Sequence, residues 1–281
     1  MATTTSSSIF TIPTPIRSLF NLFPLQTYDA EPLPARSPSE SRTHAKLHIF
    51  SIPEDALLNR PSFNPTCLKW QTYLRIANIR TDLIPSTNHA SPSGSLPYLL
   101  PPSTDSRPDI PLTGHQISQY AQKNSSLRDA PSPKAEAYLS LIAQSIRPAW
   151  LYALYLSPTH TSLLTKLYLP SSPLLSTPLL HTLRSAAREE ILKATRRHLL
   201  LPGQLYDEAR TAFEALDTAL GKVEWFFGGS EPGLFDAEVF AYTYLILDTE
   251  FGWQDDELRD CVGGCENLVA HRRRLYERCW N

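Results

Sequence analysis

The stretch NPTCLKWQTYLRIAN, residues 64–78, decides how the rest of the chain is read. Asn64 is a good N-cap, and Pro65 fits the first helical position, where a missing N–H leaves no bond unmade. Cys67, Trp70, Leu74 and Ala77 then recur at steps of three and four residues, with Tyr73 and Ile76 widening the stripe. The spacing predicts an amphipathic helix that carries a cysteine in its first turn. Upstream, KLHIF at residues 46–50 reads as a short strand. Downstream, GSLPYLL at residues 94–100 places a proline at the mouth of another.

The chain has 281 residues, enough for one large or two modest domains. Hydrophobic residues make up 42% and charged residues 19%, so a sizeable core is expected. A net charge of -2 and a pI near 6.4 argue against nucleic acid as a partner, because such binding needs a basic surface. Most of the 25 prolines fall before residue 135, which makes the first half loop-rich and leaves the second half free to be helical. Four cysteines at irregular positions in a chain of this length fit a reducing compartment better than a disulfide framework. No segment approaches the run of about 20 apolar residues that a membrane helix needs, so any membrane contact is expected to be peripheral.

Along the chain, residues 1–43 read as an extension rich in Ser, Thr and Pro. Within it Ile16, Leu19, Phe20 and Phe23 share one face of a short helix. That face is expected to dock, either on its own domain or on a partner or the bilayer interface. Residues 44–123 form the first domain: strands near 46–52, 80–84, 96–100 and 110–113, with helices at 64–78 and 114–123. The strand–helix–strand unit demands parallel pairing and a right-handed crossover, whereas the later strands follow too closely and should run antiparallel. This is a thioredoxin-like order, in which Pro97 is expected to be cis. From residue 132 to 281 the pattern is helical. One long candidate spans 133–156, with a kink expected at Pro148; an irregular stretch covers 157–177, and further helices span 178–201, 204–220, 233–247 and 266–280. The fold class is therefore α/β plus all-α: a thioredoxin-like domain followed by a helical domain laid out as in glutathione transferases. In GLFDAEVF at residues 233–240, Asp236 stands where it caps a helix start, although Gly233 replaces the usual hydroxyl residue. Asp236 is read as structural.

Cys67 is the residue with a catalytic reading. A thiol at a helix N-terminus has a lowered pKa and can be a nucleophile, as in an enzyme that uses glutathione. Cys67 also lies on the apolar stripe, and Asn64 precludes a Cys-x-x-Cys pair, so core packing is the preferred reading. At the turn into the helix after the fourth strand, LTGHQ at residues 112–116, His115 holds the place expected for a glutathione-anchoring hydroxyl. Cys261, Cys265, His271 and Cys279 lack the tight spacing of a structural zinc site, so no metal and no cofactor are expected. Arg272, Arg273 and Arg274 make a basic end to the last helix. They can complement its dipole or meet an anionic lipid or an acidic partner.

These blocks together resemble the metaxins. Residues 67–78 resemble the first metaxin helix, 94–99 the Gly-x-Leu/Val-Pro segment, 234–245 the leucine-aspartate-alanine helix, and Asn267, Leu268, Val269, Arg272 and Arg273 the last helix. The resemblance spans roughly residues 44–280. It implies a non-enzymatic, glutathione-transferase-like subunit of the mitochondrial sorting and assembly machinery, peripheral on the cytosolic face of the outer membrane. The partners it implies are the membrane-embedded β-barrel assembly subunit, a second metaxin-like subunit and β-barrel precursors. The proline-rich insertions at 85–92 and 170–178 depart from that pattern. The alternative expectation is a glutathione transferase-like enzyme using Cys67.

Overall fold

The computed structural model describes residues 41–127, 133–170 and 172–280. Strand β1 (Ala45–Ile49) alternates buried and half-buried side chains, with Ala45, Leu47 and Ile49 turned into the core. It pairs in parallel with β2 (Thr81–Pro85), Leu47 lying opposite Leu83, and antiparallel with β3 (Tyr98–Leu100), Leu47 lying opposite Leu99. Strand β4 (Leu112–Thr113) closes the far edge antiparallel to β3, giving the order β2-β1-β3-β4. This is the mixed thioredoxin-like sheet that the crossover argument requires.

A short helix α1 (Pro53–Leu57) leaves β1, and the crossover is α2 (Pro65–Ile76). Asn64 caps α2 as expected, its Oδ1 accepting the Cys67 N–H at 3.1 Å. The apolar stripe does not tell the whole story, because Gln71 and Thr72 are buried as well. The reason is that α2 is sandwiched: the sheet lies on one side and a helix of the second layer, α8 (Leu234–Leu247), runs along the other. The buried polar groups are satisfied locally. Gln71 Oε1 accepts the Ser62 N–H at 2.8 Å, its Nε2 donates to the Arg60 carbonyl at 2.8 Å, and Thr72 donates to the Leu68 carbonyl at 2.7 Å. Lys69 and Glu238 pair at 2.5 Å across the same helix–helix contact. Helix α3 (His115–Lys123) follows β4. Between β2 and β3 the chain makes only a 3-10 turn, Asn88–Ala90, and the Leu96–Pro97 peptide is cis.

The second layer is helical. Helix α4 covers residues 133–156 without interruption, but Pro148 is accommodated by a change of pitch. The α-helical stretches Pro133–Leu141 and Arg147–Leu151 are each followed by a π turn, Ile142–Ile146 and Tyr152–Leu156. Residues 157–177 are less irregular than their prolines imply. They hold α5 (Thr161–Tyr168) and the start of α6 (Pro173–Thr195), because most of these prolines fall between helices or in a first turn. Helices α7 (Pro202–Leu220), α8, α9 (Glu257–Asp260) and α10 (Glu266–Trp280) complete the layer. No described helix is long and apolar enough to cross a membrane. Ile16, Leu19, Phe20 and Phe23 lie outside the described residues.

Asp236 joins α8 to α10. Its Oδ2 accepts the Gly233 N–H at 2.9 Å, and its Oδ1 accepts the Phe226 N–H at 3.0 Å and His271 Nε2–H at 2.9 Å. Only the aspartate half of the capping arrangement exists, since Gly233 has no side chain to return the bond.

Candidate functional site in the cleft between sheet and helices

A cavity of about 510 Å3 opens where the C-terminal ends of β1 and β2 meet α5 and α6. Phe50, Phe63, Leu167, Tyr168, Leu179 and Leu183 form its apolar wall, and Ser51, Ser86, Asn88 and His89 its polar rim. Tyr168 holds the wall together. Its ring meets Phe50 at 5.1 Å and Phe63 at 5.2 Å, both edge to face. Its hydroxyl accepts from Asn64 Nδ2 at 3.0 Å, so one carboxamide both caps α2 and fixes the cleft. Burial pushes the Tyr168 hydroxyl well above its ordinary range and Tyr155, which Tyr168 meets hydroxyl to hydroxyl, up to about 12. Both are neutral phenols near pH 7 that can donate hydrogen bonds but not act as bases.

Cys67 lies beneath this wall and is fully buried. The Phe50 N–H points at its Sγ at 3.5 Å, yet burial dominates and drives the thiol up to about 12. The thiolate-favouring start of the helix is outweighed by desolvation, so Cys67 packs the core rather than attacking a substrate.

Ser86, on the rim, pairs with a residue outside the cavity lining. His48, on β1, places Nδ1 3.0 Å from the Ser86 Oγ at the end of β2. The imidazole is stacked on Tyr98 of β3, with centroids 4.1 Å apart and planes 11° from parallel. Desolvation first, and the charge of Lys46 second, lower its pKa, which keeps it neutral. Asn88 Oδ1 accepts the Leu96 N–H at 3.0 Å, pinning the carboxamide beside the cis proline.

The other residues marked by the sequence lie elsewhere. The three arginines do not form one exposed basic patch. Arg272 stacks on Tyr244 at 5.0 Å, and Arg274 lies over Trp225 at 5.8 Å and donates to the Glu224 carbonyl, leaving Arg273 exposed. Cys261 and Cys265 are buried; the Cys261 thiol lies 3.4 Å from the Tyr206 carbonyl. His115 bonds within its own helix, to Ser118 and Gln119. Sequence reading missed His48, Ser86, Asn88 and Tyr168 as site residues. Ser86 and Asn88 fell in the proline-rich insertion at 85–92 and Tyr168 in the irregular stretch at 157–177, and only packing of the helical layer against the strand ends brings them to one cleft.

Two family models match. Residues 65–160 match the glutathione S-transferase N-terminal domain and residues 209–275 the glutathione S-transferase C-terminal domain. Among solved structures, a glutathione transferase from Pseudomonas putida, solved with one glutathione disulfide per subunit, is similar at 13% identity and a TM-score of 0.50. That match covers 85% of this chain and 90% of that one. The β-etherase LigF from Sphingobium sp. strain SYK-6 is similar at 11% identity and a TM-score of 0.50, covering 84% of this chain and 99% of that one. No curated protein matches the chain in sequence. The chain therefore has the glutathione-transferase-like fold: a thioredoxin-like sheet domain with a helical C-terminal domain. These neighbours correct one expectation. The sequence resemblance implied a non-enzymatic chain, whereas the similar structures are of enzymes, one of them with a glutathione derivative bound.

Proposed function

We propose that this protein is a glutathione-transferase-like enzyme that conjugates or exchanges a glutathione thiol on an apolar electrophile held in the cleft. The observation that carries this reading is the apolar cavity of about 510 Å3 at the strand ends, beside the capped start of α2. The positive end of that helix points toward the cleft wall and favours an anion nearby, and in this reading the bound glutathione supplies the nucleophile in place of a protein side chain. Cys67 has no part in the step. Purified protein assayed with glutathione and an apolar aryl halide should turn over, and Cys67→Ser should retain that turnover. Leu183→Trp, which fills the cleft, should raise the KM for the electrophile. Absence of conjugation together with absence of glutathione binding at millimolar concentration would overturn the reading.

A second reading is favoured by one contact. The Leu96 N–H, the backbone donor beside the cis proline, is already taken by Asn88, which weakens the strand mouth as a docking edge for a peptide-like ligand such as glutathione. Under that reading the chain is a metaxin-like subunit at the mitochondrial outer membrane. Its partners are a membrane-embedded barrel subunit, a second metaxin-like subunit and β-barrel precursors. Affinity isolation from mitochondria tests it: co-purification with an outer-membrane barrel protein, and release by carbonate at alkaline pH, is the expected result. Its absence from the mitochondrial fraction would end it.

A further inference from the structure

The geometry points to an acyl-transfer site on the rim of the cleft, with Ser86 as nucleophile, His48 as general base and Asn88 as donor to the oxyanion, acting on small apolar esters or thioesters. It rests on the reading of the cleft as a ligand site but needs no glutathione.

Three observations converge. First, Ser86 Oγ and His48 Nδ1 are 3.0 Å apart, the reach at which a base takes a hydroxyl proton. Neighbouring strands set that distance: His48 stands opposite Ile84 in the β1–β2 register, and Ser86 is two residues further along. Second, the base is held in place by a neighbour. The Tyr98 ring lies flat against the imidazole and fixes the plane in which it can reach the serine. Tyr98 is thus a positioning residue. Partial burial lowers the imidazole's pKa, which favours the neutral form a base needs. Third, Asn88 lines the same cavity as Ser86, and its carboxamide is held by its oxygen, which accepts the Leu96 N–H and leaves the amide nitrogen as a donor. A carboxamide fixed by its oxygen beside a serine is the kind of preorganised donor that stabilises a developing oxyanion.

The step balances without a co-reactant beyond water. Ser86 loses its proton to His48 Nδ1 as Oγ bonds to the acyl carbon. The tetrahedral oxygen accepts from Asn88 Nδ2. The alkoxide or thiolate leaves with the proton from His48. Water then attacks the acyl-serine, giving its proton to His48, and Ser86 Oγ recovers that proton as the carboxylic acid departs. Phe50, Leu179 and Leu183 line the same cavity and suit a short apolar acyl chain. At rest the Ser86 hydroxyl has a competing acceptor, the Ile84 carbonyl at 3.3 Å. His48 Nε2 is buried and has no hydrogen-bond partner, so the dyad is expected to be slow beside a full triad.

The test uses the full chain and p-nitrophenyl butyrate, without glutathione. Hydrolysis proportional to protein concentration is expected, with a fluorophosphonate adduct on Ser86 by peptide mass. Ser86→Ala and His48→Gln should each lower the rate by about 100-fold or more. Asn88→Asp keeps the acceptor for the Leu96 N–H, and so the fold of the loop, but puts a carboxylate where a donor is needed; it should cost at least about tenfold in kcat with circular dichroism unchanged. Tyr98→Leu should shift the acidic limb of the pH–rate profile. Unaltered hydrolysis in folded Ser86→Ala, absence of the Ser86 adduct, or full activity in Asn88→Asp would overturn the proposal. Conjugation measured on the same preparation separates the two readings: conjugation without esterolysis sinks only this site, and esterolysis without conjugation sinks only the transferase.

Discussion

Replacing Asp236 with alanine should cost this protein about 3–5 kcal/mol of folding stability. The side chain is 3% exposed and accepts three bonds at once, from the Gly233 and Phe226 N–H groups and from His271 Nε2. Removing it strands three donors in a buried site, and each orphan costs about 1–3 kcal/mol. Those costs do not add fully, because the groups share one cavity and relax together. His271 is itself fully buried between the Trp225 and Phe226 rings, with centroids at 5.8 and 5.4 Å, so no water route lets it recover a partner cheaply. Urea unfolding followed by tryptophan fluorescence gives the measurement: the midpoint should fall while the slope stays constant. In a chain of this size each kcal/mol should lower the Tm by about 2–4 °C. Asp236→Asn retains one acceptor oxygen and should lose less than the alanine variant. A loss below about 1 kcal/mol for Asp236→Ala would refute the claim that this carboxylate joins α8 to α10.

Three further outcomes are expected. All four cysteines are buried, with burial raising Cys67 to about 12 and Cys261, Cys265 and Cys279 to about 11. A chromogenic disulfide at pH 8 should therefore find no fast thiol in the native protein and four on unfolding; rapid native labelling of Cys67 would contradict its core role. His48, lowered by burial from its ordinary value of 6.5, binds fewer protons folded than unfolded just below that pH. Its contribution is complete above 6.5 and is lost as the pH falls toward the depressed value, so His48→Gln should flatten the acidic limb of the stability curve; an unchanged slope counts against it. Arg75 donates to the Cys279 carbonyl and, at 2.6 Å, to the Asn59 carbonyl, and lies 4.7 Å over Trp280. Arg75→Ala should therefore destabilise by about 2–3 kcal/mol in denaturant titration, and Arg75→Lys should recover only part.

Much of the fold is legible in the sequence because its signals are local. Asn64 and Pro65 start α2 through bonds made within one turn. The alternation of Ala45, Leu47 and Ile49 marks the buried side of β1, and Asp236 announces a helix start three residues before itself. The brevity of the links between the later strands dictates antiparallel pairing before any contact is known. What local pattern cannot carry is which buried faces meet. The stripe on α2 gave no warning that Gln71 and Thr72 would be enclosed, because that depends on α8, whose residues lie more than 150 positions away. The cleft has the same origin. Asn64 meets Tyr168 and His48 meets Ser86 only because the crossover brings β2 beside β1 and the helical layer closes over the strand ends. Cys67 shows the consequence for function. Its sequence position at a helix start favours a reactive thiolate, and only the surrounding core, by removing water from it, makes it inert.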